Sequence, residues 1–188
     1  VGAIAKYNNG FNQGALAAFT DLLFMDTLRG PDSTGVFLVD KDGDTTLLKD
    51  VGTAQRFLVN KDYDTYIDTP AYKIGKALVG HNRKATIGKV DATNAHPFTV
   101  KGEFVLVHNG SLPGHKHLGD AEVDSNAIAQ YLHDKWKDDG TPEEKADILA
   151  HIGGAWALVW DDLRTNKLNI GRNSQRPLSL IETNSEWF

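Results

Sequence analysis

Two apolar runs, Ala77-Leu78-Val79 and Phe104-Val105-Leu106-Val107, lead directly into clusters of polar residues. The first opens onto Gly80-His81-Asn82-Arg83, the second onto His108-Asn109-Gly110. Short continuous apolar stretches bounded by such residues predict buried strands. The polar clusters then fall at strand ends, where side chains project into a cleft. Arg83 offers a rigid, permanently charged fork for a carboxylate. Asn109 and Gly110 offer a side-chain amide and an unobstructed backbone N–H to one oxygen, the layout of an oxyanion hole. Together they point to a pocket for an amino-acid-like substrate whose amide is attacked.

The 188 residues fit one domain, residues 1–188, with enough chain to bury a substantial core. A hydrophobic content of 40% and a charged content of 24% are ordinary for a soluble globular protein. The net charge of −5 argues against nucleic acid as the main partner. No apolar run approaches the roughly 18 residues of a membrane span, and no signal-peptide pattern opens the chain. There is no cysteine, hence no disulfide and nothing that favours an oxidising compartment. A cytoplasmic protein is expected. Among seven histidines, His108, His115 and His117 are close in sequence. No carboxylate–histidine set has metal-ligand spacing, so neither a metal nor another cofactor is expected. His115 and His117 read as solvated loop residues.

Val1-Gly2-Ala3-Ile4-Ala5 reads as a strand already under way, and Asn8-Asn9-Gly10 as a turn. Leu16, Phe19, Leu22 and Leu23 follow helical spacing, which predicts a helix over 12–28 with that face buried. Arg29-Gly30-Pro31-Asp32-Ser33-Thr34-Gly35 breaks the helix and turns the chain into the strand Val36-Phe37-Leu38-Val39. Asp42-Gly43-Asp44 predicts a hairpin returning along Thr46–Lys49. Residues 52–68 suggest a weaker helix. Asp124 is a candidate N-cap for a helix carrying Ile128, Tyr131, Leu132 and Trp136 on its apolar face. Pro142 and Glu143-Glu144 suit the first turn of another, ending at Ile152. Strands are expected at Ala155–Trp160, Lys167–Gly171 and Pro177–Ile181, with a turn over 161–166 and a further strand reached at Trp187-Phe188. Strand hairpins with intervening helices place the chain in the α+β class.

Seven segments carry a family resemblance. Gly80-His81-Asn82-Arg83-Lys84-Ala85-Thr86-Ile87-Gly88 resembles the G-H-T-R-W-A-T-x-G segment of class II glutamine amidotransferases, the N-terminal-nucleophile (Ntn) amidohydrolases. Asn94-Ala95-His96-Pro97 and His108-Asn109-Gly110 resemble the N-A-H-P and H-N-G that follow in that family, in the same order. Arg29-Gly30-Pro31-Asp32-Ser33-Thr34-Gly35 is similar to its R-G-x-D-S-x-G, and Glu122-Val123-Asp124-Ser125 to its E-T-D-T/S. Gly154-Ala155-Trp156-Ala157-Leu158 resembles G-A-Y-A-L, and Arg172 with Arg176-Pro177-Leu178 resembles R-x-x-x-x-P-L.

The resemblance implies a four-layer α/β/β/α sandwich of two mainly antiparallel sheets. It also implies a glutaminase that releases ammonia from L-glutamine through an N-terminal cysteine and passes it to a synthase domain or partner. On that reading Arg83 takes the glutamine α-carboxylate and Asp124 its α-ammonium. Thr86 lines the pocket, His96 and Arg29 support its wall, and Asn109 with the Gly110 N–H forms the oxyanion hole. Lys84 departs from the family's aromatic residue and Ile87 from its frequent histidine. The nucleophile itself is missing, since the chain has no cysteine and starts with neither serine nor threonine. Val1-Gly2-Ala3-Ile4 aligns best with the V-G-A-I of the family's C-G-I-V-G-A-I. The expectation is a domain whose first few residues, and its C-terminal end, lie outside this sequence. The competing readings are a catalytically silent relative that binds glutamine or docks on a synthase, and an unrelated hydrolase or metal-binding domain.

Overall fold

The computed structural model describes residues 1–6, 10–67 and 74–188. The asparagines of the Asn8-Asn9-Gly10 turn lie outside the described residues. The chain divides into two compact units, one made of Val1–Ala85, Lys89–Pro97 and Ser179–Phe188, the other of Thr86–Gly88 and Phe98–Leu178.

In the first unit, β1 (Gly2–Ala5), β2 (Ser33–Asp40), β3 (Thr45–Val51), β4 (Gly75–Arg83) and β9 (Glu186–Trp187) form one sheet in the order β3-β2-β4-β1-β9. Every neighbouring pair is antiparallel. The β-branched and aromatic run of β2 suits a strand enclosed on both faces: Val36, Phe37, Leu38 and Val39 are all buried. The helices of this unit are α1 (Gln13–Asp26), α2 (Ala54–Leu58) and α3 (Lys61–Ile67). Asn12 starts α1, its side-chain oxygen accepting the Ala15 N–H at 2.9 Å. Phe19 and Leu23 of α1, Phe57 of α2 and Tyr63 of α3 share one apolar cluster with Val36, Leu38 and Leu78. Residues alternate across a strand, so this cluster defines a helix-facing side of the sheet. Gly80 packs there against Phe19 and Leu23, and the Asn82 amide donates to the Leu23 carbonyl at 2.7 Å. His81 and Arg83 consequently point to the other side.

The second unit is a four-stranded antiparallel sheet, β5 (Phe98–Val100), β6 (Phe104–Ser111), β7 (Ala155–Asp162) and β8 (Lys167–Arg172), in that order. Its helices are α4 (Asp124–Lys135) and α5 (Pro142–Ile152). Phe104, Leu106, Leu158 and Trp160 of the sheet join Ile128 and Leu132 of α4 and Ile152 of α5 in one core. Thr141 closes the start of α5 with a reciprocal cap, its hydroxyl taking the Glu144 N–H and the Glu144 carboxylate taking the Thr141 N–H. Among the described residues no helix is long and apolar enough to cross a membrane.

Several expectations need correction. The α1 face is narrower than the spacing suggested: Phe19 and Leu23 are fully buried while Leu22 is 42% exposed. Residues 52–67 form two short helices rather than one. Asp124 is the first residue of α4 and not its cap; Val123 holds the cap position and makes no side-chain cap bond. Strand β7 continues through Asp161 and Asp162, which begin the predicted turn, because Arg164 folds back on Asp162 with bonds of 2.7 Å from Nε and Nη2. Pro177–Ile181 is not a strand. Leu180 and Ile181 are largely exposed, so no burial stabilises one, and the chain instead folds back to bond Ile181 to Phe188. His115 is not solvated: it is buried in the 3-10 turn His115–His117, with Nε2 2.9 Å from the Ala121 carbonyl.

Candidate active site

The polar clusters fall toward strand ends, as expected, and within the ladders. His81, Asn82 and Arg83 are the last three residues of β4, paired through to Gly35, Thr34 and Ser33 of β2, and His108, Asn109 and Gly110 lie inside β6. Ladder bonds therefore fix their backbones before any side chain is considered.

In the first unit Arg83 is buried on the side of the sheet away from α1, and its Nη1 donates to the Lys89 carbonyl at 2.9 Å. Asn94 is also aimed at that carbonyl, with its amide nitrogen at 3.3 Å, and its own N–H is held by Asp91 at 2.9 Å. One carbonyl thus links the end of β4 to the Asn94–Pro97 loop. His96 is buried, and its ring stacks on that of His81 with centroids 3.8 Å apart. Asp32 fixes the segment after β4 twice: its N–H donates to the Arg83 carbonyl at 3.0 Å and its carboxylate accepts the Ala85 N–H at 2.8 Å. Arg29 is exposed at the exit of α1. Gly30, beside it, lies flat against the backbone of Asn82 and Arg83, where a Cβ would collide. The Val1 amino group donates to the Gly80 carbonyl at 2.9 Å.

In the second unit His108 belongs to the helix-facing side of the sheet, its Nδ1 3.0 Å from the Ser125 hydroxyl of α4. Asn109, one residue on, points to the opposite side. Gly110 pairs with Trp156. The Trp156 carbonyl accepts the Asn173 N–H at 3.0 Å and its N–H is directed to the Asn173 side chain at 3.3 Å, both toward the β8 side. Gly110 and Trp156 are therefore a non-hydrogen-bonded pair, and the Gly110 N–H points away from β7 toward the β5 edge. The β5 ladder ends at Phe98 opposite Leu106 and does not reach Gly110.

Asp124 is 6% exposed. Its carboxylate accepts the Leu112 N–H at 2.8 Å and the Ser125 N–H at 2.8 Å, which anchors the start of α4 to the end of β6. Burial pushes the His108 pKa down, with the Asp124 charge opposing. Thr86 is exposed, and Gly88 (φ 76°) packs on Val123 so closely that a Cβ would strike it. Of the expected residues, the structure thus groups Arg83, His96 and Arg29 around the end of β4, and Asn109, Gly110, Asp124 and Thr86 around the end of β6 and the start of α4. Lys84 is exposed and Ile87 half-buried.

Curated proteins that the chain matches include isomerizing glutamine–fructose-6-phosphate aminotransferases. It is 30% identical to that of Salmonella typhimurium and 29% identical to that of Escherichia coli K12, each over 161 residues. The match covers 80% of this chain and 25% of either relative. The fold matches glutamine phosphoribosylpyrophosphate amidotransferase from B. subtilis, solved with ADP and GMP, at a TM-score of 0.64 and 19% identity, over all of this chain and 41% of that one. A structure described as the allosteric regulatory enzyme of purine biosynthesis matches at 0.70, with the same identity and coverage. No protein-family model matches the chain. The chain is a homologue of the class II glutamine amidotransferases. The α+β architecture of this amidotransferase homologue, two antiparallel sheets with their helices, is of the Ntn-hydrolase type. The chain spans a quarter of the length of the curated relatives it matches.

Sequence reasoning missed the residues that hold the site in place. Asp32 was legible only as part of a turn, and Ser125 only as the residue after Asp124. The His81–His96 stack and the position of Lys49 had no local signal.

Proposed function

We propose that this domain hydrolyses the side-chain amide of L-glutamine to glutamate and ammonia, and that the ammonia passes to a synthase domain or partner. The observation that carries the reading is Asp124. A carboxylate 6% exposed has only neutral hydrogen-bond partners, two backbone N–H groups and a hydroxyl 3.4 Å away, and no lysine or arginine within ion-pair distance among the described residues. Burying an anion without a counter-cation is costly, and a ligand ammonium is the group that completes it. Arg83 supplies the complementary charge for an α-carboxylate, Thr86 lines the pocket, and His96 and Arg29 support the wall.

In the reaction a cysteine thiolate attacks the amide carbon, and the amide oxygen becomes an oxyanion met by Asn109 Nδ2 and the Gly110 N–H. The carbon–nitrogen bond breaks as the proton lost by the thiol is delivered to the leaving nitrogen, which departs as ammonia, and water hydrolyses the thioester to glutamate and restores the thiol. The 188 residues contain no cysteine, so this reading requires a nucleophile that they do not include. Ammonia release from L-glutamine by the full-length protein, together with its intact mass and N-terminal sequence, tests this. A cysteine at the processed terminus and glutamine-dependent ammonia are expected. Glutamine binding without turnover would make the domain the silent, binding relative.

A further inference from the structure

Lys49 stands on β3, outside every motif discussed above. Its Nζ donates to two carbonyl oxygens, that of Ala95 at 2.9 Å and that of Pro97 at 3.1 Å. These are the residues on either side of His96. On β2 the register partner of Lys49 is Gly35, and the same loop touches the sheet there. A Cβ on Gly35 would strike the His96 carbonyl oxygen and come within 2.7 Å of Lys49 Cβ. Three consecutive peptide groups, from Ala95 to Pro97, are thus laid on the β2–β3 ribbon, two of them held by one ammonium and the middle one seated on a glycine.

Between these fixed points the His96 ring is carried onto His81, 3.8 Å away. His81 lies two residues before Arg83, on the same side of β4. The chain of contacts runs from the Lys49 ammonium through the loop backbone and the stacked rings to the strand segment that holds the buried guanidinium. Half-burial pushes the Lys49 pKa down, opposed by the Asp91 charge. A cation kept out of water despite that cost is one whose donors are in use. A point charge with three donors suits two converging carbonyls better than a planar fork does.

We propose that Lys49 is a positioning residue of the glutamine site, setting the place of His96, and through it the Arg83 wall, without touching substrate. The proposal rests on the glutaminase reading above. Lys49 acts on the pocket's shape and not on the reacting atoms, so its removal falls on substrate binding.

The test uses the full-length natural protein with Lys49→Met, which keeps the stem and removes the donors, and Lys49→Arg, which returns two donors. Lys49→Met is expected to speed amide exchange over 94–98 and to raise the glutamine KM about tenfold, with kcat within about twofold. Lys49→Arg is expected to recover most of both. Unchanged exchange, or faster exchange with an unchanged KM, overturns the proposal, as does a loss confined to kcat. If Lys49→Met does not fold, Lys49→Gln is judged by the same readouts. Wild-type protein that releases no ammonia removes the glutaminase reading by itself. The role of Lys49 is then decided by calorimetry: weaker L-glutamine binding by Lys49→Met supports it, and equal or absent binding in both proteins overturns it.

Discussion

Gly110 lies against the carbonyl oxygen of Ala155 with no space for a side chain, and His108 Nε2 closes the same spot. The strand β6 can run this close to β7 only because residue 110 lacks a Cβ. Gly110→Ala is expected to push β6 and β7 apart and to lower stability by about 1–3 kcal/mol, as overpacking does. Thermal unfolding measures this, and a melting temperature equal to wild type would show that the strands separate freely.

Arg83 gives one N–H to the Lys89 carbonyl, and a guanidinium carries five donors in a planar fork. Arg83→Lys supplies a single point charge that cannot serve both acceptors in a fork. Glutamine affinity is expected to fall on the order of tenfold, in line with losing a hydrogen bond to a charged group. Calorimetric binding equal to wild type would remove Arg83 from the carboxylate role.

Asn109 sits one residue before the Gly110 N–H and on the side of the sheet away from α4. In protein that carries its nucleophile, Asn109→Ala is expected to leave glutamine KM nearly unchanged. It should slow turnover by about 10²–10³, the usual consequence of losing one oxyanion donor. Full turnover in the variant would place the oxyanion donors elsewhere.

His108 makes folding sensitive to acid. Burial holds its folded pKa below the ordinary histidine value, so on acidification the unfolded chain takes up a proton before the folded one does. Stability attributable to this group is fully present above the unfolded pKa of about 6.5 and is lost as pH falls from there toward the folded pKa. Denaturant unfolding between pH 7.5 and 5 is expected to show this decline, and His108→Gln to flatten it. An identical slope in the variant would assign the acid sensitivity to other groups.

Local pattern in the sequence was enough to place most strands. The apolar runs at 36–39, 77–79, 104–107 and 155–160 are each inside a strand of the structure, because a stretch of such residues has few ways to leave water. The limits of α5 were legible for the same reason, with proline at its first position and acidic residues in its first turn. The order of the polar motifs pointed to the class II amidotransferases, and the comparisons agree.

What local pattern left open was decided by partners distant in the chain. His81 to Arg83 stay in the ladder up to the last residue of β4 because β2 runs on to Ser33 and pairs with them. Pro177–Ile181 has apolar residues, but Leu180 and Ile181 are largely exposed and only Ile181 bonds to the chain beside β9, so the segment stays irregular. Lys49 reads as an ordinary surface lysine until the register β3–β2 and the path of the Asn94–Pro97 loop bring two carbonyls to its ammonium. Hydrophobic periodicity is a property of neighbours a few residues apart, so the sequence determined which segments leave water. The position of a polar group such as Lys49 or Asn82 depends on acceptors 46 to 59 residues away, and only the tertiary fold supplies those.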